Sequence, residues 1–138
     1  MNYEISFEQR PDYLYATVTG TNTQEIVMAY MADILRECEQ RKCYRVLIDE
    51  RLEGPRLGEM DVFTVASEGS LRALGQFEAV AHVDAQMGTM SEFAETVAVN
   101  RGMPVAMFGN VDDADRWLKL RRSSDDEQSV FWDGGTRD

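Results

Sequence analysis

The chain has 138 residues, of which 43% are hydrophobic and 28% are charged, which is enough material for one domain with a hydrophobic core. Its 14 Lys and Arg residues against 25 Asp and Glu residues give a formal net charge of −11. Such a surface repels phosphate backbones and anionic lipid headgroups, which argues against nucleic-acid binding and against binding to a membrane surface. Solubility explains this charge, and a basic partner protein is the functional alternative.

Compartment and cofactors are constrained by what the sequence lacks. A signal peptide has a basic region followed by an apolar one, and the N-terminal residues MNYEISFEQR have neither. No apolar run approaches the roughly 18 residues of a membrane span. Cys38 and Cys43 have no further Cys or His nearby at metal-ligand spacing, which argues against a zinc site and favours free thiols. We therefore expect a cytoplasmic protein with no cofactor, no metal and no integral membrane association.

Two strands and a long helix are predicted first. Alternating apolar and polar residues over 3–8 indicate a half-exposed strand. Residues 13–19 are rich in strand formers and predict a second strand, paired with the first in an antiparallel hairpin. Apolar residues then recur at helical spacing over 26–38, and Asn22 with Glu25 has the spacing of a capping box. This is the clearest helix in the chain.

Strands and helices alternate from there on. Residues 44–49 and 77–84 are short, largely apolar strands, and 105–108 is a fifth. A helix is predicted over about 59–74, and another begins at a capping box of Thr89 and Glu92. A last helix is capped by Asn110, and Gly102 stands where a left-handed helix end is expected. The residues predicted to face inward are Met60, Phe63 and Leu71 on the second helix, Met90, Phe93, Ala94, Val97 and Ala98 on the third, and Val111, Ala114, Trp117 and Leu118 on the last.

This order of elements, ββαβαβαβα, predicts a single α/β domain with a mixed five-stranded sheet and helices packed on it. We assign residues 1–122 to this domain and residues 123–138 to an acidic, flexible C-terminal tail. Val130, Phe131 and Trp132 interrupt the tail, and they could attach it to the body of the protein or to a second subunit.

The pattern of the later elements resembles the SpoIIAA-like family over about residues 3 to 120. The residues that carry the resemblance are Val46-Leu47-Ile48-Asp49, Phe93-Ala94-Glu95, Asn100-Arg101-Gly102, Val105-Ala106-Met107-Phe108, Ala114 and Trp117-Leu118. That family shares its fold with STAS domains and is grouped with the CRAL-TRIO lipid-carrier fold. The resemblance implies a binding or regulatory module. STAS domains that antagonise anti-sigma factors are switched by phosphorylation of a Ser or Thr at the start of the helix after the third strand. Here residues 50–59 contain no hydroxyl side chain and Thr64 lies within the helix, so that switch is not expected.

Candidate ligand-binding residues lie at the ends of strands and on the second and third helices. Asp49, Glu50 and Glu53 bring carboxylates to the end of a central strand, where ligands of open α/β sheets bind, although Arg51 and Arg56 can neutralise them. Methionines and phenylalanines on the helices indicate either ordinary core or an apolar groove for an acyl chain or a partner helix. Arg101 favours a helix end and alternatively binds an anion. The candidates are Asp49, Arg51, Met60, Phe63, Met90, Phe93 and Arg101.

We predict no catalytic residues, because the lone histidine, His82, lies inside a strand without a nucleophile motif beside it. The leading hypothesis is a non-enzymatic module that acts through protein–protein interaction, as a homodimer built on the sheet face of Tyr13 and Tyr15 or on the tail. That face is open if every helix packs on the other side of the sheet, as the resemblance implies. The alternative is a carrier or sensor of a small apolar ligand such as a lipid acyl chain.

Overall fold

The computed structural model describes residues 2–121, which form a five-stranded sheet and four helices. The elements are β1 (Tyr3–Gln9), β2 (Leu14–Thr21), α1 (Gln24–Arg41), β3 (Arg45–Glu53), α2 (Glu59–Ala73), β4 (Ala79–Asp84), α3 (Thr89–Asn100), β5 (Val105–Phe108) and a final helix α4 over 111–121. The predicted fold class and element order are confirmed. The tail predictions, including those for Val130, Phe131 and Trp132, lie outside the described residues.

The strands lie in the sheet in chain order, with β1 antiparallel to β2 and the other neighbours parallel. The register of β3 against β4 places Ile48 opposite His82 and Asp49 opposite Val83. Because side chains alternate along a strand, Ile48, Glu50 and His82 lie on one face of the sheet and Asp49 lies on the other. We call these the first face and the second face.

Each face of the sheet carries its own core. On the first face, α1 and α2 pack on residues of β2, β3 and β4, among them Leu14, Val46 and Val80. On the second face, Ala114 and Leu118 of α4 pack on alternate residues of the same strands; the strand residues of this second core are Leu47, Ala79, Ala81 and Val83, with Tyr13 of the turn before β2. The second face is therefore partly covered, and the open face expected when all helices pack on one side is not present. Tyr13 is 2% exposed.

Some helix ends differ from the sequence prediction. Thr23, not Asn22, caps α1, because the Thr23 hydroxyl accepts a hydrogen bond from the Ile26 amide at 3.2 Å. Thr89 is the first residue of α3 and Gly88 precedes it with no side-chain cap, so the predicted capping box is wrong. The cap at Asn110 is confirmed, since Asn110 Oδ1 accepts from the Asp113 amide at 2.8 Å.

The orientation of α2 is opposite to the predicted one. Met60, Phe63 and Leu71 are 75%, 41% and 79% exposed, and so lie on the outer side of the helix. The inward side carries smaller residues, namely Val62, Val65, Ala66, Gly69 and Ala73. Short side chains on this side let α2 lie over the sheet without filling the space beneath it.

The strand β5 lies at the edge of the sheet beyond β4. Its Met107 amide points away from β4 and donates to Glu95 Oε2 of α3 at 2.7 Å. A side chain from a neighbouring helix thus satisfies a backbone donor that no strand pairs with.

Candidate functional site: a cavity between the helices and the first face

A cavity of about 790 Å³ lies between α1, α2 and α3 and the first face of the sheet. Its walls are mostly apolar. The apolar and small side chains that line it include Met31 and Leu35 of α1, Val62, Val65, Ala66 and Gly69 of α2, Met90, Ala94 and Ala98 of α3, and Ile48, Val80, Val105 and Met107 of the sheet. Protein interiors are normally close-packed with few voids larger than a water molecule, so a space of this size is a specific feature of the fold.

The space follows from residue size on α2 and α3. Where α2 approaches α1, a Cβ atom added at Gly69 would lie 3.5 Å from the sulfur of Met31. The neighbouring inward positions are alanines at 66, 94 and 98. Exposed charged residues border the cavity on α1 (Arg36, Glu39), on α2 (Arg72) and at the end of β3 and the loop after it (Arg51, Glu53, Arg56). The cavity therefore meets solvent both between α1 and α2 and beside the end of β3.

Three polar side chains meet on the sheet side of the cavity. Tyr30 of α1 donates its hydroxyl hydrogen to Oε2 of Glu50 on β3. His82 Nε2 on β4 lies 3.4 Å from the same carboxylate oxygen and 3.4 Å from the Tyr30 hydroxyl oxygen. Tyr30 is fully buried and His82 is 9% exposed. We call these residues the Tyr30–Glu50–His82 cluster.

Burial and charge act in opposite directions on this cluster. Burial, followed by the neighbouring Glu50 carboxylate, raises the pKa of Tyr30 well above its ordinary value. Burial by itself would raise the pKa of Glu50, but the charge of His82 and the hydrogen bonds bring it below its ordinary value. Burial by itself would lower the pKa of His82, but Glu50 and Asp84 raise it. The pair therefore favours an ionised carboxylate beside a protonated imidazole.

A second polar group lies where β4 ends and α3 begins. Arg56, from the loop before α2, donates to Asp84 Oδ2 at 2.8 Å, and the Ser91 hydroxyl donates to the same oxygen at 3.0 Å. The Gln86 amide donates to Asp84 Oδ1 at 2.9 Å. Burial tends to raise the pKa of Asp84, but these donors, Arg56 foremost, hold it below its ordinary value. This group ties the β3–α2 loop to the start of α3 at the border of the cavity.

The seven candidate residues from the sequence do not form one site. Met90 lines the cavity, whereas Phe93 is a half-buried residue of α3 that does not line the cavity. Met60 and Phe63 lie on the outer side of α2. Arg101 stacks over the Phe63 ring at 5.4 Å and donates to the Val97 carbonyl at 3.3 Å, which are contacts typical of a helix end.

Asp49 and Arg51 border the cavity, but their charged groups pair on the second face. Asp49 Oδ2 accepts from the Tyr15 hydroxyl at 2.6 Å and from Arg51 at 2.8 Å. Strand alternation thus separates Asp49 from Glu50, and the predicted gathering of carboxylates at this strand end does not occur. Arg51 neutralises Asp49 as expected, whereas Arg56 pairs with Asp84.

Alternation along β3 and β4 indicates part of the cluster. Glu50 shares a face with Ile48, and His82 and Asp84 share a face with Val80, so both strands carry ionisable residues on the face that α1 and α2 cover. What the sequence did not supply was the register, which brings Glu50 and His82 to adjacent strands, and the position of Tyr30 above them.

Within residues 2–121, no group of three or more His, Cys, Asp or Glu residues is arranged to hold a metal ion. In that same part of the chain, no helix combines the length and apolar character needed to cross a membrane. Both cysteines, Cys38 and Cys43, are free thiols.

Comparison with protein-family models gives no match, and comparison with curated proteins gives none either. Among solved structures, the chain is similar to an uncharacterised protein of the DUF3478 family from Shewanella loihica PV-4, whose crystal structure has a SpoIIAA-like fold. The two are 22% identical, the match covers 84% of this chain and 93% of that one, and the TM-score is 0.52. Together with the strand order and the helices described above, this likeness shows that the chain has a SpoIIAA-like fold.

Proposed function

We propose that this chain binds a small apolar molecule in the cavity, as a carrier or sensor, and that it is not an enzyme. The observation that carries the proposal is the cavity itself: about 790 Å³ with mostly apolar walls and a few convergent polar groups. Ligand sites in proteins have volumes of about 300–1,000 Å³ and this same composition. The sequence had favoured a protein-interaction module over this function, and the geometry reverses that order of preference.

The polar groups at the wall of the cavity are engaged with one another. Tyr30 and His82 both interact with one oxygen of Glu50, and Arg56 and Ser91 both donate to one oxygen of Asp84. These groups stabilise one another at the wall of the cavity. Because these bonds hold the side chains in place, the groups can position a ligand in the cavity. This arrangement suits recognition of the polar end of an otherwise apolar molecule.

Ligand binding can be tested by filling the cavity. Ala94 lines it and Thr96, two residues along α3, is exposed. We expect wild-type protein to bind one molecule of the neutral fluorescent probe N-phenyl-1-naphthylamine per chain. Ala94→Phe should weaken this binding by about tenfold or more, because the phenyl ring occupies space that the probe needs. The measurement is a fluorescence titration.

Thr96→Phe adds the same ring to the same helix on its solvent side and should bind like wild type. Thermal unfolding followed by circular dichroism checks that both variants fold. A wild-type protein that does not bind the probe, or equal weakening in both variants, contradicts the proposal. Native mass spectrometry adds an independent readout, since a co-purified small-molecule mass supports a carrier.

A second candidate function, contact with another protein, is favoured by the outer side of α2. Met60, Phe63 and Leu71 recur at helical spacing along it, Leu74 follows directly after the helix, and all four are between 41% and 79% exposed. We call these four residues the α2 outer stripe. Apolar side chains grouped in this way on a surface mark contact sites. We propose a second copy of the chain as the partner, which retains the homodimer expected from the sequence but places it on a different surface. The cytoplasmic location stays a prediction.

A further inference from the structure

The Tyr30–Glu50–His82 cluster leaves two atoms available to a ligand. All of its internal bonds use Glu50 Oε2 and His82 Nε2. Within residues 2–121, no hydrogen bond is made to Glu50 Oε1 or His82 Nδ1. Neither atom is buried away from solvent without a hydrogen-bond partner. Both residues line the cavity. The wall therefore presents one carboxylate oxygen that accepts and, in the protonated imidazole, one ring N–H that donates.

Two of the carboxylates at this part of the cavity are matched by cations. Glu50 faces His82, and Asp84 is bound by Arg56. The remaining carboxylate near them, Glu95, accepts from the Met107 amide. A carboxylate on a ligand would meet Glu50, and an ammonium group would meet the protonated His82. At the cluster, either charge would leave water without a free counter-ion, because Glu50 and His82 already pair with each other. Burying an unpaired charge is costly.

We infer that the polar end of the bound molecule is an uncharged group that both donates and accepts a hydrogen bond, such as the hydroxyl of an aliphatic alcohol. A hydroxyl donates to Glu50 Oε1 and accepts from His82 Nδ1, and it leaves the ion pair intact. Its hydrocarbon part occupies the apolar walls beneath α2 and α3. This inference rests on the proposed function, because it names the chemical class of the molecule that the cavity holds. The raised pKa of His82 and the lowered pKa of Glu50 support the charged form of the pair.

Three compounds of equal chain length test the inference: 1-octanol, octylamine and octanoate. Each is used to displace N-phenyl-1-naphthylamine from the wild-type protein at about pH 6, where the amine and the acid are both charged. We expect 1-octanol to bind most tightly and octanoate to bind at least about tenfold more weakly, because octanoate faces the Glu50 carboxylate. Octanoate or octylamine binding more tightly than 1-octanol overturns the inference, and so does equal binding of all three.

Glu50→Gln removes the charge with little change of shape, and it should reduce the preference for 1-octanol over octanoate several-fold. Glu92→Gln makes the same change of net charge at an exposed position on α3 and should keep the wild-type preference. A preference that is unchanged in Glu50→Gln overturns the assignment of the polar end to this cluster. The proposed function fails separately, if neither the probe nor any octyl compound binds; binding without selectivity leaves that function intact and rejects only the present inference.

Discussion

His82, the single histidine of the chain, has a pKa determined by its partner. Burial lowers the pKa, but Glu50 outweighs burial and raises it above the ordinary value of 6.5. The contribution of His82 to stability is therefore fully present below about pH 6.5 and is lost as the pH rises through the folded-state pKa. The pKa of Glu50 is held below its ordinary 4.5, so its contribution is present above that pH and is lost as the pH falls through the folded-state pKa. The His82–Glu50 pair therefore stabilises the folded state most between about pH 4.5 and about pH 6.5.

Replacing His82 by Gln should therefore destabilise the protein by an amount that depends on pH. The loss is expected to be about 1–3 kcal/mol at about pH 5.5, because the buried Glu50 carboxylate loses its partner. At about pH 8.5 the loss should be smaller, because wild-type His82 is then losing its charge. The free energy of unfolding in urea, measured for both proteins at both pH values, checks this. An equal difference at the two pH values would contradict the assigned pKa directions.

Among the elements, α2 shows where sequence reasoning succeeds and where it stops. The bounds of the helix were predicted within a residue, since Gly58 and Gly75 flank it. Its orientation was not, because apolar residues lie on both sides and the larger ones were assigned to the core. The same limit explains why the cavity was only weakly indicated: small inward residues such as Ala66 and Gly69 carry little hydrophobic signal. The fold could be predicted because apolar and polar residues alternate along the strands and recur with helical periodicity. The site could not, because it depends on the register between strands and on the rotation of each helix about its axis.

Gly69 on this helix provides a test of the packing between α1 and α2. Gly69→Ala should stabilise the protein by about 0.5–1 kcal/mol, because alanine favours the helix over glycine by about that amount. The added methyl group would lie 3.5 Å from the Met31 sulfur, which is ordinary van der Waals contact. Gly58→Ala, at the start of the helix with no atom within 4 Å of the added group, should give no such gain. Urea unfolding measures both, and a loss of stability in Gly69→Ala would show that the two helices lie too close to admit the added methyl group.

At the level of the whole molecule, the surface proposed for self-association has changed from the sheet to a helix. The sequence favoured the face of Tyr13 and Tyr15 or the tail, and the tail lies outside the described residues. On the face, Tyr13 is buried beneath α4 and donates to Asp115 at 2.7 Å. Arg10 covers the Tyr15 ring at 4.2 Å. Substitution of Tyr13 would disrupt the core and could not report on an interface. Within the α2 outer stripe, Arg101 covers the Phe63 ring, whereas Met60 and Leu71 are 75% and 79% exposed.

Met60→Lys combined with Leu71→Lys should shift a dimer towards monomer, because two charges would be placed in an apolar contact. Leu120→Lys, at a 63% exposed position on α4, changes the same kind of residue away from the stripe and should leave the association unchanged. Sedimentation velocity at high micromolar concentration distinguishes these outcomes. A wild-type protein that is monomeric under those conditions excludes the dimer.

The contact between Glu95 and the Met107 amide bears on how the molecule avoids growth of its sheet. An unpaired edge strand is a template to which a further strand can add, and repeated addition leads to aggregates. At β5, an incoming strand would need the Met107 amide as a hydrogen-bond donor. It would first have to displace the Glu95 carboxylate from that amide. At the opposite edge, β1 carries the exposed charges of Glu4 and Glu8. Both edges thus disfavour polymerisation by strand addition, so that within residues 2–121 the helices and the sheet faces are left as surfaces for association.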